Sequence, residues 1–128
     1  MDQVVLCDTN ILIEFFKGEK KVSAELHIIR RANVVLSAVT VSELFSGALN
    51  KQDLNQLVKR VSPLNVLQIT PEISRIHLDL MQRYALSHNL KLPDAFIAAT
   101  ALHYQLPIYT LNLKDFRYIE GLALYHPS

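Results

Sequence analysis

Short apolar runs alternate with stretches of helical period along the whole chain. Val4-Val5-Leu6-Cys7 is brief and β-branched, and Asp8-Thr9-Asn10 follows with turn and capping chemistry before Ile11-Leu12-Ile13-Glu14-Phe15-Phe16-Lys17. The pattern predicts strand, turn and helix, with Gly18 closing the helix. A second amphipathic helix is expected from Glu19 to near Arg31, with Val22, Leu26 and Ile29 on its apolar stripe. Val34 to Ala38 reads as the next strand. Thr40-Val41-Ser42-Glu43 fits a capping box, so a helix is expected to begin near Thr40 and turn Leu44, Phe45, Ala48 and Leu49 inward. Another is expected over Lys51 to Val61.

Pro63 ends that helix, Val66 to Ile69 is a short strand, and Pro71 suits the first turn of a helix. The stretch from Pro71 to Leu90 is periodic, with Ile73, Ile76, Leu80, Tyr84 and Leu86 at helical spacing. Pro93 opens a helix from Asp94 to near Tyr104. Pro107 to Thr110 reads as a strand, Leu113 to Phe116 as a helical turn, and Leu122 to Tyr125 as a weak terminal strand. Strands alternating with helices predict an α/β three-layer sandwich, a central and mainly parallel sheet flanked by helices. No repeat or linker interrupts the 128 residues, so a single domain over 1–128 is expected.

Composition narrows the class. Half the residues are hydrophobic, and three glycines and five prolines are too few for a disordered or low-complexity chain. The one cysteine, Cys7, has no internal partner and lies in an expected buried strand, which fits a reducing cytoplasm. Asp2 stands where a secretory signal would carry positive charge, and no apolar run approaches the roughly 18 residues of a membrane span. A cytoplasmic protein is expected.

Candidate chemistry lies where the apolar runs stop. Asp8 follows the first run, Glu43 follows the second, Asp94 opens an alanine-rich helix, and Asp115 lies just past Ile108-Tyr109-Thr110. Parallel strands would align these ends along one sheet edge, where ligands of open α/β sheets bind. Clustered carboxylates with few basic neighbours call for a compensating cation, and hard oxygen ligands suit Mg²⁺ or Mn²⁺. Each acid also has a structural reading: Asp8 as a helix cap, Glu43 as the reciprocal acid of the capping box, Asp94 at a helix dipole, Asp115 as a solvated loop acid. Ala95, Ile97, Ala98, Ala99, Thr100 and Ala101 form a small-residue face that can approach the sheet closely and carry Asp94 toward Asp8. The formal charge is +1, but setting these four acids aside leaves eight against 13 basic residues, a +5 surface that a polyanion can approach. None of His27, His77, His88, His103 and His126 lies beside a motif acid or shows metal-ligand spacing; they read as surface or boundary residues.

Four segments in order, Asp8-Thr9-Asn10, Thr40 to Leu44, Leu92 to Ala101 and Thr110 to Phe116, resemble the signature segments of the PIN-domain family, most closely its VapC-type toxin ribonucleases. The resemblance spans Asp8 to Phe116. It implies a divalent-metal endoribonuclease with a parallel sheet flanked by helices, Asp8 and Asp94 as principal metal ligands, and Glu43 and Asp115 completing the acidic cluster. It places Asn10, Thr110 and Asn112 at polar positions lining the site. It also implies an RNA substrate, a homodimer, and a cognate antitoxin protein covering the early helices, where Phe15, Phe16, Leu44, Phe45 and Leu49 offer apolar surface. Lys91 precedes Asp94, and Lys114 and Arg117 flank Asp115; Lys91 and Lys114 are the better candidates for phosphate contact, with Lys17, Lys20 and Lys21 following the first helix.

Competing readings fit less well. A haloacid-dehalogenase-like phosphatase needs a second acid two residues after the first, where this chain has Asn10. A receiver domain leaves Glu43 and Asp115 unexplained. A non-catalytic PIN-like module that binds RNA or protein is the remaining alternative, and retention of all four acids argues against it.

Overall fold

In the computed structural model, which describes residues 2–128, four short strands form one parallel sheet. These are β1 (Val5–Cys7), β2 (Val34–Ser37), β3 (Asn65–Leu67) and β4 (Ile108–Tyr109), in the order β3-β2-β1-β4. Val5 pairs with Val34, Leu6 with Ile108, and Leu36 with Val66. The helices are α1 (Thr9–Phe16), α2 (Lys20–Ile29), α3 (Ala38–Ser46), α4 (Lys51–Val61), α5 (Pro71–Tyr84) and α6 (Leu92–Tyr104). Short 3-10 turns cover Arg31–Asn33 and Leu113–Asp115.

The period-2 geometry of the strands divides the core in two. Leu6, Val35 and Ile108 face one way, onto Ile73 and Leu80 of α5 and the alanine-rich side of α6. Val5, Cys7, Val34, Leu36 and Tyr109 face the other way, onto Ile11 and Leu12 of α1, Val22 and Leu26 of α2, Leu44 and Val61. Ala95, Ile97, Ala98, Ala99, Thr100 and Ala101 are all buried, as the small-residue face predicts. Full burial of a Leu or Ile here contributes about 1.5–3 kcal/mol, so both faces of the sheet stabilise the three-layer arrangement.

Several boundaries differ from the sequence expectation. Helix α3 starts at Ala38 because Ser37, not Thr40, is its N-cap: the Ser37 hydroxyl accepts from Val39 N at 3.1 Å, and Thr40 is fully buried. Helix α5 stops at Tyr84 rather than continuing to Leu90, and Leu86 lies wholly exposed in the turns beyond it. Leu49 is 88% exposed rather than inward, because α3 has already ended at Ser46. The expected terminal strand reduces to a single parallel bridge between Ile108 and Leu124. Gly18 does close α1, with φ +81° and its N–H donating to Phe15 O at 3.0 Å. Among the described residues, no helix is long and apolar enough to cross a membrane.

Candidate active site

Asp8 is the first residue past β1, and its N–H donates to Tyr109 O at 2.9 Å, which fixes it to the sheet edge. Only 6% of it is exposed. Oδ1 accepts from Thr9 N at 2.8 Å and Oδ2 accepts from the Thr110 hydroxyl at 2.8 Å. Capping and site chemistry therefore coexist in one residue: the bonds orient the carboxylate, and each oxygen keeps a second lone-pair site.

Glu43 reaches the same edge from the middle of α3. It does not close a capping box. Its Oε1 accepts from Thr9 Oγ1 at 2.6 Å, and the Thr9 hydroxyl also shares a 3.2 Å hydrogen bond with that of Thr40. Asp94 lies in the first turn of α6, half-buried, and Asp115 ends the 3-10 turn after β4, also half-buried.

Electrostatics join the four acids. Burial first, then the charges of Asp8, Asp115 and Glu43, push the Asp94 carboxyl up to about 7. Burial likewise raises Asp8 and outweighs the bonds from Thr110 and Thr9 that favour its charged form, while Glu43 and Asp115 push it the same way as burial. Among the described residues, none of the ion pairs includes any of these four acids. The cluster thus holds unbalanced negative charge in a hydrogen-bonded frame.

Such a donor set fits a hard divalent cation. Among the described residues, no three carboxylate, imidazole or thiol groups converge tightly enough to close a metal cage unaided. Carboxylate oxygens are the ligand type that Mg²⁺ takes, through one or two carboxylates and several waters. Burial pushes the nearby Cys7 thiol up to about 12, so it stays an inert core group.

The polar residues named from sequence also gather here. Asn10 Oδ1 accepts from Leu111 N at 3.3 Å, and Asn112 N donates to Thr110 Oγ1 at 3.0 Å, so both brace the turn that carries Thr110. The basic candidates stand apart from the acids. Lys91 donates to Asn89 Oδ1 at 3.1 Å, Lys17 pairs with Glu14 at 3.6 Å, and Lys114 is exposed. Sequence reasoning assigned no role to Thr9, although its place inside Asp8-Thr9-Asn10 was the available signal. His77 was expected at the surface or boundary. That ring is buried between α5 and α6, stacked on Phe96 at 3.7 Å between centroids, and its Nε2 has no partner.

The PIN domain family matches residues 5–122 of this chain. Ribonuclease VapC10 of Mycobacterium tuberculosis is 31% identical over 121 residues, covering 93% of this chain and 90% of that protein. The structure resembles a chain of a toxin-antitoxin complex from Klebsiella pneumoniae, with TM-score 0.78 and 34% identity over 93% of this chain and 95% of the other. It also shares its fold with a chain of VapBC2 from Rickettsia felis bound to promoter DNA, with TM-score 0.81 at 20% identity over 96% and 98% of the two chains.

Proposed function

The chain belongs to the PIN domain family, and on that premise we propose that it is an endoribonuclease of the VapC type, the toxin of a toxin–antitoxin pair, working with Mg²⁺ or Mn²⁺. One observation carries this reading: the charges of Asp8, Glu43 and Asp115 all reach Asp94, those of Glu43 and Asp115 also reach Asp8, and among the described residues no ion pair includes any of the four.

Asp8 and Asp94 would hold the cation directly, and Glu43 and Asp115 would complete its shell, in part through water. When bound, the ion supplies Lewis acidity toward the phosphate and a lowered pKa for water, which removes the need for a histidine base. The chain's own residues prepare that site. Thr110 and Thr9 N–H favour the ionised form of Asp8 against its burial. The Thr9 hydroxyl holds Glu43. Lys91 and Lys114, exposed on the segments leading to Asp94 and Asp115, would meet the RNA backbone outside the acidic cluster.

The antitoxin would occupy the apolar surface of α1, α3 and α4, where Ile13, Phe16, Leu44, Leu49 and Leu57 line a cavity of about 580 Å³ that reaches Glu43. A segment lying there is positioned to cover the acidic cluster. A homodimer and a cytoplasmic location complete the proposal, the second in keeping with the lone buried thiol.

The test is cleavage of total cellular RNA by purified, antitoxin-free protein with Mg²⁺ or Mn²⁺, with EDTA, and as the Asp94→Asn variant. Discrete fragments that require both metal and Asp94 support the nuclease, and their ends identify the target. Folded protein that cuts no RNA under any of these conditions moves the reading to a binding module.

A further inference from the structure

The loop leaving α5 and the segment after Asp115 meet in an aromatic stack. His88 lies face to face with Tyr118, ring centroids 4.1 Å apart and planes inclined by 8°. Tyr84 closes the group edge-on, 5.2 Å from Tyr118 and 5.6 Å from His88. Tyr84 belongs to the core, and its hydroxyl accepts from Glu120 N at 3.2 Å, so the stack stands on a rigid base. The loop is tied back to the helix, His88 N donating to Tyr84 O at 3.0 Å, and Ser87 Oγ lies 2.8 Å from His88 Nδ1, orienting the imidazole. Yet His88 is exposed. One face of the ring rests on Tyr118 and Tyr84 packs against it edge-on, while the residue as a whole stays exposed.

The stack borders the acidic cluster. Tyr118 follows Asp115 by three residues, and its phenol is raised by burial and then by the charges of Asp94 and Asp115. Lys91, on the same loop as His88, and Lys114 and Arg117, beside Tyr118 in the chain, are all exposed. An ordered aromatic face, flanked by cations and next to a phosphate-cleaving centre, is the combination that single-stranded nucleic acid uses.

We propose that His88, backed by Tyr118, is a stacking platform for one unpaired base of the RNA whose backbone enters the acidic cluster. The proposal rests on the nuclease reading of that cluster and adds that the substrate is single-stranded where it leaves the site. Every base has a π-face, so the platform contributes affinity and register with little sequence preference. The two rings differ in exposure, Tyr118 being half-buried and His88 exposed, so the histidine is the outer ring of the stack.

The test uses the full chain carrying Asp94→Asn and a mixed-sequence single-stranded RNA 12-mer with 2-aminopurine at successive positions. Binding is expected to quench the fluorescence at one or two adjacent positions. Adding His88→Ala should weaken binding roughly tenfold and remove that quench, whereas His88→Phe, which restores a flat ring, should recover both. Thermal midpoints of the variants separate loss of fold from loss of stacking. Equal affinity and equal quench in His88→Ala, or RNA bound with no position quenched, or no RNA bound at all, overturns the platform. Cleavage by the chain with Asp94 intact runs in parallel. Cutting with the same KM in His88→Ala sinks the platform and leaves the nuclease standing, while absence of any cutting sinks the nuclease, and the quench still judges the platform.

Discussion

The Thr110 hydroxyl donates to Asp8 Oδ2 at 2.8 Å, a buried bond that ties the end of β4 to the end of β1. It favours the charged carboxylate where burial opposes it. Thr110→Val keeps the shape and removes the donor. The unfolding free energy should fall by about 1–3 kcal/mol, since a buried acceptor loses its partner. Asp8 should also ionise at higher pH, so the rise of RNA cleavage with pH moves upward. Urea unfolding and a cleavage profile from pH 5 to 9 check the two halves; a variant matching the parent in both would mean that the bond orients nothing.

Asp94→Asn separates stability from activity. Its carboxyl faces the charges of Asp8, Asp115 and Glu43 and joins no ion pair among the described residues, so the neutral amide relieves repulsion in the metal-free protein. Cleavage should drop by about a hundredfold or more, the scale on which metal sites respond to damage. The urea midpoint without metal should hold or rise. A midpoint that falls sharply would show Asp94 to be a structural residue whose loss unfolds α6.

Metal-free stability should depend on pH in a stated direction. Asp94 titrates near 7 in the fold against an ordinary 3.8, so between those values the folded state binds the extra proton. Stability is then highest below 3.8 as far as this group is concerned, declines as pH rises, and levels off above about 7. In EDTA, the thermal midpoint should fall between pH 5 and 8, and Asp94→Asn should flatten that slope. Mg²⁺ should raise the midpoint more at pH 8 than at pH 5, because binding must displace the proton. An equal Mg²⁺ effect at both pH values would refute the coupling.

What local pattern could reveal and what it could not divide cleanly at the site. Asp8 and Asp115 were legible because apolar runs stop just before them, and a parallel sheet necessarily brings such ends to one edge. Asp94 was legible through its small-residue helix, whose buried alanines allow close approach. Glu43 was legible as an acid but not in its partner. Ser37 and Thr40 both have capping side chains, and Ser37 takes the role because β2 ends there, leaving Glu43 to Thr9, 34 residues away. The ring partners of His77 and His88 were hidden for the same reason, although His88 is exposed as a surface reading expects. Each partner is a ring from a distant segment, Phe96 or Tyr118, and no helical or strand period encodes such a pair.

Outside the group of four acids, a second buried carboxylate anchors the segment after β4. Glu25 of α2 is 5% exposed, and it accepts from the Tyr125 hydroxyl and from Ser128 N at 3.0 Å. Tyr125 N donates to Ile108 O at 2.8 Å, so the same residue extends the outer edge of the sheet. Tyr125→Phe strips the donor from a buried acceptor and should cost about 1–3 kcal/mol in urea unfolding. Glu25→Leu alone leaves the half-buried Tyr125 phenol and Ser128 N without their acceptor and should cost a similar amount, about 1–3 kcal/mol. The pair together should cost clearly less than the two losses added, because neither the phenol nor the carboxylate is then left without its partner and only Ser128 N stays unmatched. Additive losses in that cycle would mean that Glu25 and Tyr125 stabilise the fold independently, and that the tail is held by Ser128 and the Ile108–Leu124 bridge instead.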